Sequence, residues 1–564
     1  MKQINFALPA IAATLALTAC GGGGSSGSAG FGLVPPVAAA PAVATPTAPT
    51  STPPAEQAPN IAVTTEGTVA GVAGTDSVTF LGIPYAQPPT GNLRWAPPQP
   101  PSAHSAVLQA IKFGSACAQG PGIEPTSSED CLYLNVWKPA GAKPGDKLPT
   151  IFYIHGGAFT LGSGAQGPGT LASSGVVVVS MNYRLGALGF LANKALRAAN
   201  KDGSLGNFAL MDELAALDWT KKNIAAFGGD PGNVTLWGLS AGGTQTFTLV
   251  QSPKAKGLFQ RAVMESGGSG EYSNPTMDSS LAVGDTAVAN LGCTNAADVV
   301  ACLRAVPVSA LLAQGGLKWR PTVDNQIVTQ VPARAFETGN FNQVPVMIGG
   351  VYDEGTIFAD TTETAANYGL YLHSLAPTGY DATKLDAAYP GASFAVPAQG
   401  YARALGDSLY SCANSSRRTA LSAWVPVYGY EFVDPQLSFP AVAPTAFYYG
   451  SSHGMDSYYL TGTVDALASY PYFDQRNAAP DVATMAQRKA LSVQVMTYLL
   501  NFAKNSDPNG DGRNITTHWP RFTGPSDRTI VSFTYPSVVA TTNAFEQAHQ
   551  CDTVWGPAVF PPLY

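Results

Sequence analysis

Apolar residues along the chain fall into three regimes. The run Phe6 to Leu17, just after Lys2, is too short to span a bilayer as a stable helix but has the length of a signal-peptide core. From Gly21 to Asn60 the chain is Gly/Ser-rich and then Ala/Pro/Thr-rich, with Glu56 as its only charge and no apolar period able to make a core. From Ile61 the pattern becomes that of a folded body. Short β-rich runs come first, Val78 to Leu81 and Leu132 to Trp137. Thr150 to Ile154 then reads as a strand and Gly175 to Ser180 as a fully buried one. Met211 to Ala226 has helical spacing, Val234 to Trp237 is another strand, and Arg261 to Met264 another.

Continuous Val-rich strands alternating with helices predict an α/β fold with a mostly parallel central sheet covered on both faces. Its functional loops belong at the carboxyl ends of the strands. No segment after the first reaches eighteen uninterrupted apolar residues, and no internal repeat is visible. The predicted organisation is a signal segment over 1–19, a tether over 20–60 and one folded unit over 61–564. The Gly-rich part of the tether is expected to be flexible and the Pro-rich part more extended.

Composition narrows the function. Only 12% of the 564 residues are charged, against about 25% in ordinary soluble domains, and the formal charge is −7. With no long run of Lys or Arg, the footprint of nucleic-acid binding is missing.

Gly238-Leu239-Ser240-Ala241-Gly242 lies between a predicted strand and a predicted helix. That context suits a nucleophile elbow, a tight turn where small neighbours let the serine project and the next helix points its N–H groups at the reaction centre. His155-Gly156-Gly157-Ala158-Phe159 directly follows a strand, so a second set of backbone N–H groups is available for an oxyanion hole. His155 itself sits inside the glycine loop and reads as a loop anchor.

The chain has six histidines. In the chain order nucleophile, acid, histidine, both His104 and His155 are excluded as base, leaving His373, His453, His518 and His549. His453 lies in the small-residue loop Gly450-Ser451-Ser452-His453-Gly454, which favours it. The strand-like Val344 to Gly350 is followed by Asp353-Glu354-Gly355, where a triad acid belongs. Spacing does not choose between Asp353 and Glu354.

These residues resemble the type-B carboxylesterases, a group of the α/β-hydrolase fold that includes carboxylesterases, cholinesterases and bacterial p-nitrobenzyl-type esterases. The likeness runs from Ile61 to the end of the chain. Phe227 to Gly242 matches the family's serine signature and Glu129 to Val136 its second signature. Phe80 to Ala86, Asn182-Tyr183-Arg184 and Asp353-Glu354-Gly355 complete it. The resemblance implies Ser240 as nucleophile, Glu354 as acid and His453 as base. It also implies the N–H groups of Gly157, Ala158 and Ala241 as oxyanion donors, with Ala158 where many members have glycine. Two scaffold ion pairs are implied, Arg94 with Glu129 and Arg184 with Asp212. So are three disulfides: Cys117 with Cys131, Cys293 with Cys302, and Cys412 with Cys551.

The seventh cysteine is explained differently. Leu17-Thr18-Ala19-Cys20 resembles a bacterial lipobox, implying cleavage before Cys20 and lipid on its sulfur. The expected location is the cell envelope, at the outer membrane or cell surface, with a periplasmic or secreted protein as the alternative. Expected partners are a small-molecule ester and, through the anchor, membrane lipid. No cofactor and no metal are implied, and the oligomeric state is open.

Departures from the family bear on the substrate. Leu239 stands where many members carry Glu, and the loop Cys117 to Cys131 lacks the Trp over which cholinesterases hold a quaternary ammonium, so choline esters are disfavoured. Asp456 stands where the family often has Glu. Neutral, largely apolar esters are expected; amides, carbamates or polyesters are alternatives, and a non-catalytic adhesion module is a remoter one. Trp319, Phe358, Tyr458 and Tyr459 are candidate pocket aromatics, though core positions are the commoner fate of such residues. Asp507 to Gly512 begins like a calcium loop, but its twelfth position is His518 where Glu is required.

Overall fold

The apolar runs become the centre of a single mixed sheet. In the computed structural model the described residues are 58–120, 127–268, 274–361, 363–376, 380–437, 447–469 and 482–556. The signal segment, Cys20 and nearly all of the tether lie outside them. The strands of the large sheet are β1 (Val72–Ala73), β2 (Ser77–Pro84), β3 (Tyr133–Pro139), β4 (Leu148–Ile154), β5 (Val177–Met181), β6 (Gly229–Leu239), β7 (Arg261–Glu265), β8 (Val346–Val351), β9 (Val427–Val433), β10 (Ile530–Thr534) and β11 (Ser537–Thr541). Their order across the sheet is β11-β10-β9-β8-β7-β6-β4-β5-β3-β2-β1. Neighbours from β10 through β5 pair in parallel, while β1, β2, β3 and β11 add antiparallel edges.

The central strands are buried at nearly every position because both faces are covered. In β4, Phe152 and Ile154 enter one core and Ile151 and Tyr153 the other, the period-two alternation of a pleated strand. One face is packed by helices α1 (Phe208–Asn223) and α2 (Ala241–Gln251), the other by α6 (Val482–Asn505). Between β8 and β9 run α3 (Pro397–Gly406), a π-helical stretch (Asp407–Ser411) and α4 (Cys412–Ser422); α5 (Asp456–Leu460) comes later. Among the described residues no helix is long and apolar enough to cross a membrane.

The predicted helix over 211–226 begins earlier, at Phe208, and its last turn tightens into a 3-10 segment, Ile224–Phe227, closed by Gly228 in the left-handed region. Strand order then positions the site. From β4 the chain goes to β5 on one side and returns to β6 on the other, so the loops leaving β4 and β6 diverge at a topological switch point. Such a point is where an open parallel sheet leaves a crevice. Those two loops hold His155 to Phe159 and Ser240.

Candidate active site

Ser240 joins β6 to α2 with φ 59° and ψ −121°, a conformation an L-residue holds only when its surroundings enforce it. The enforcement is visible. Its N–H donates to the Glu265 carbonyl at the end of β7 (2.9 Å), and its own carbonyl receives Thr244 N–H (2.9 Å). A Cβ on Gly242 would lie 2.1 Å from the Ile154 carbonyl, so glycine there lets the first turn of α2 press against the end of β4.

The loop after β4 is equally constrained. Gly157 has φ 114°, and a Cβ on it would lie 2.1 Å from the Leu161 carbonyl. Ala158 and Phe159 follow at φ 51° and 63°, two successive side-chain-bearing residues in the left-handed region. The N–H groups of Gly157, Ala158 and Ala241 make no hydrogen bond to any described residue. Unpaired backbone donors in a packed region are uncommon, and donors that converge on a reaction centre are one reason for them.

Glu354 and His453 come together although 99 residues separate them. His453 Nδ1 lies 2.5 Å from Glu354 Oε2. The other carboxylate oxygen accepts Ser266 Oγ–H (2.7 Å) and Val351 N–H (3.0 Å). Glu354 is only 2% exposed. His453 Nε2 is buried and has no protein partner among the described residues. The imidazole sits beside the stacked rings of Phe358 and Tyr410, with ring centroids 5.1 and 4.8 Å away. A Cβ on Gly454 would lie 3.8 Å from Leu239 Cδ2, so the residue after the imidazole borders the residue before Ser240.

The choice the spacing left open is resolved by division of labour. Asp353 Oδ2 accepts Ser451 N–H (2.9 Å) and Asp353 N–H donates to Ser451 O (3.1 Å), so Asp353 clips the histidine loop in place. Burial pushes its carboxyl up to about 7, more than Arg403 and the Ser451 bond pull it down. Glu354 contacts the imidazole. The remaining histidines are engaged elsewhere: His373 with the exposed Asp386, and His549 between Asp407 and Glu431. His518 is exposed.

His155 is the loop anchor the sequence suggested. Its ring is 1% exposed, Nδ1 lies 2.7 Å from the Gly156 carbonyl, and burial pulls the imidazole down to about 4 against a smaller upward pull from that bond. The implied scaffold is present in full. Arg94 makes a two-point pair with Glu129, and Arg184 does so with the fully buried Asp212 at 2.8 and 2.7 Å. All three expected disulfides form, Cys117–Cys131, Cys293–Cys302 and Cys412–Cys551.

Of the four candidate pocket aromatics, Phe358 flanks His453, whereas Trp319 and Tyr459 are core residues. Trp319 donates to the Gln314 carbonyl, Tyr459 donates to Asp434, and Tyr458 packs on the core beside α6. Sequence reasoning missed Tyr410 and Ser266. Tyr410 lies in a π-helical stretch that no motif announces; Ser266 directly follows β7, and its place at a strand's carboxyl end was the available signal. The calcium-like segment is a turn in which Asp507 accepts from Asn509, and Asn509 in turn ties down Trp519. No cluster suited to a metal ion occurs among the described residues.

Comparison with known proteins agrees with this geometry. The model of the carboxylesterase family matches residues 57–554. Fumonisin B1 esterase of Sphingopyxis macrogoltabida is 33% identical, over 81% of this chain and 84% of its own length. Para-nitrobenzyl esterase of Bacillus subtilis is 31% identical, over 84% and 94%. A solved PNB esterase structure superposes with a TM-score of 0.72 at 28% identity, covering 87% of this chain and 99% of its own.

Proposed function

The chain belongs to the carboxylesterase family and is a serine-type carboxylic ester hydrolase, and on that premise we propose that it works through a Ser240–His453–Glu354 triad on neutral, largely apolar esters. The observation that carries this reading is the Glu354–His453 hydrogen bond, which leaves Nε2 without a partner among the described residues, in a loop bordering Leu239, the residue before Ser240. A carboxylate on Nδ1–H fixes the tautomer in which Nε2 is the base, and it stabilises the imidazolium that forms.

In the proposed reaction His453 Nε2 takes the Ser240 proton as Oγ attacks the ester carbonyl. The N–H groups of Gly157, Ala158 and Ala241 receive the oxyanion. His453 then protonates the departing alcohol, and the acyl group remains on Ser240. Water, deprotonated by the same nitrogen, releases the acid. The Phe358 and Tyr410 rings and the Leu239 side chain support an apolar substrate. Leu239 in place of an acid argues against cationic alcohols. A fluorophosphonate probe should label one site per chain, and p-nitrophenyl butyrate should give a burst of phenolate equal to that count. Labelling without a burst would argue against rate-limiting deacylation, and neither would contradict the triad.

We further propose that lipid on Cys20 holds the enzyme at the cell envelope. Palmitate incorporation, lost in Cys20→Ser together with membrane association, checks this.

A further inference from the structure

The N–H of Gly157 belongs to the same trans peptide as the carbonyl of Gly156, so the two point in opposite directions. Whatever holds Gly156 O therefore aims Gly157 N–H. That holder is His155 Nδ1, at 2.7 Å. The next peptide is pinned by backbone alone: Gly157 O accepts Thr160 N–H and Leu161 N–H, both at 3.0 Å, and so orients Ala158 N–H. One oxyanion donor is thus set by a local turn, and the other by a side chain that must itself be held.

Tyr183 holds it. This residue follows β5, on the far side of β4 from Ser240, and is fully buried. Its ring lies parallel beneath the His155 imidazole, with centroids 4.3 Å apart and planes 16° from each other. Its hydroxyl donates to the His155 carbonyl at 2.9 Å. The same side chain therefore fixes both the backbone of His155 and the rotation of its ring. Gly162 closes the other side, where a Cβ would lie 2.5 Å from His155 Nδ1. Burial keeps the phenol protonated and able to donate, by raising its ionisation well above the ordinary tyrosine value.

We propose that Tyr183 is a positioning residue for ester hydrolysis: through the stacked His155 imidazole and the Gly156 carbonyl it aims Gly157 N–H at the oxyanion. The inference rests on the triad reading above. It separates two roles inside Asn182-Tyr183-Arg184, since Arg184 pairs with Asp212 and Asn182 pins Gly164 N–H, Ser115 O and Cys131 O, all away from the reacting atoms.

The test uses Tyr183→Phe, which removes the hydroxyl and keeps the stack, and Tyr183→Leu, which removes both. Rates are referred to sites titrated by the fluorophosphonate, so misfolded protein does not count. About tenfold loss of kcat is expected for the first and about 10²–10³-fold for the second, the loss typical of one oxyanion donor. KM should stay within about twofold. An aryl trifluoromethyl ketone, which becomes an oxyanion on Ser240, should lose affinity in step with kcat. The matching secondary alcohol, which cannot, should keep its affinity. Unchanged kcat per titrated site, or equal affinity losses for ketone and alcohol, would overturn the proposal. If Tyr183→Leu does not fold, Tyr183→Phe carries the test alone. A wild-type enzyme that neither takes up the fluorophosphonate nor gives a burst would instead count against the triad reading.

Discussion

The two halves of the site are built from different materials. The proposed nucleophile half is mostly backbone: Ser240, the left-handed turn at Gly157 to Phe159, and three N–H groups with no hydrogen bond among the described residues, all within a few residues of β4 and β6. The proposed acid–base half is side chains. Glu354 and His453 lie on loops after β8 and β9, clipped together by Asp353, and braced by Ser266 and by Tyr410 from the helical excursion between those strands. A backbone-built half is largely fixed once the sheet forms, with the His155–Tyr183 brace as its side-chain element. A side-chain-built half depends on long-range packing, so it should be the half that substitution can perturb by degrees.

Ser240→Ala is the largest expected loss, about 10⁶-fold in kcat with an unchanged melting temperature, read with a p-nitrophenyl ester. Glu354→Gln comes next, about 10⁴-fold in kcat, because the carboxylate that fixes the His453 tautomer is gone. The paired Cys412→Ser, Cys551→Ser variant tests the distant brace. Those cysteines are 139 residues apart and join α4 to the C-terminal segment, so denaturant titration should register about 2–5 kcal/mol of lost stability while kcat per titrated site is preserved.

Acid should act on the backbone half through His155. Its folded imidazole titrates at about 4 against 6.5, so the unfolded chain binds the extra proton and stability falls as pH drops from 6.5 toward 4. The loss is about 3 kcal/mol. Comparing unfolding of the wild type with that of His155→Asn at pH 7 and pH 4.5 isolates it: the variant should depend less steeply on pH. The smallest effect is Ser266→Ala, which removes one of two hydrogen bonds to Glu354 Oε1 and should lower kcat about tenfold or less.

The same contrast explains what the sequence discloses. The nucleophile half was legible because its geometry demands particular residue types at fixed spacing: glycines where Cβ atoms would collide with Ile154 or Leu161 carbonyls, and a serine between strand and helix. The parallel core strands were legible for a related reason, since burial on both faces requires uninterrupted apolar runs. The acid–base half carries no such local demand. Asp353 and Glu354 are adjacent in sequence and differ only in which partner each meets, Ser451 or His453, a distinction set by the loop crossing from 99 residues away. Family resemblance, not spacing, pointed to Glu354. Tyr410 was invisible because its contact with His453 depends on a π-helical stretch between α3 and α4. Tyr459 was a plausible pocket residue by sequence and is a core residue because its hydroxyl reaches the buried Asp434.

The most direct measurement is mass spectrometry of the enzyme quenched during turnover of a slowly deacylated p-nitrophenyl ester, for the wild type and for Ser240→Ala. One acyl group per wild-type chain is expected, on the peptide containing Ser240, and none on the variant. Acylation at another residue, or continued turnover by Ser240→Ala, would contradict it.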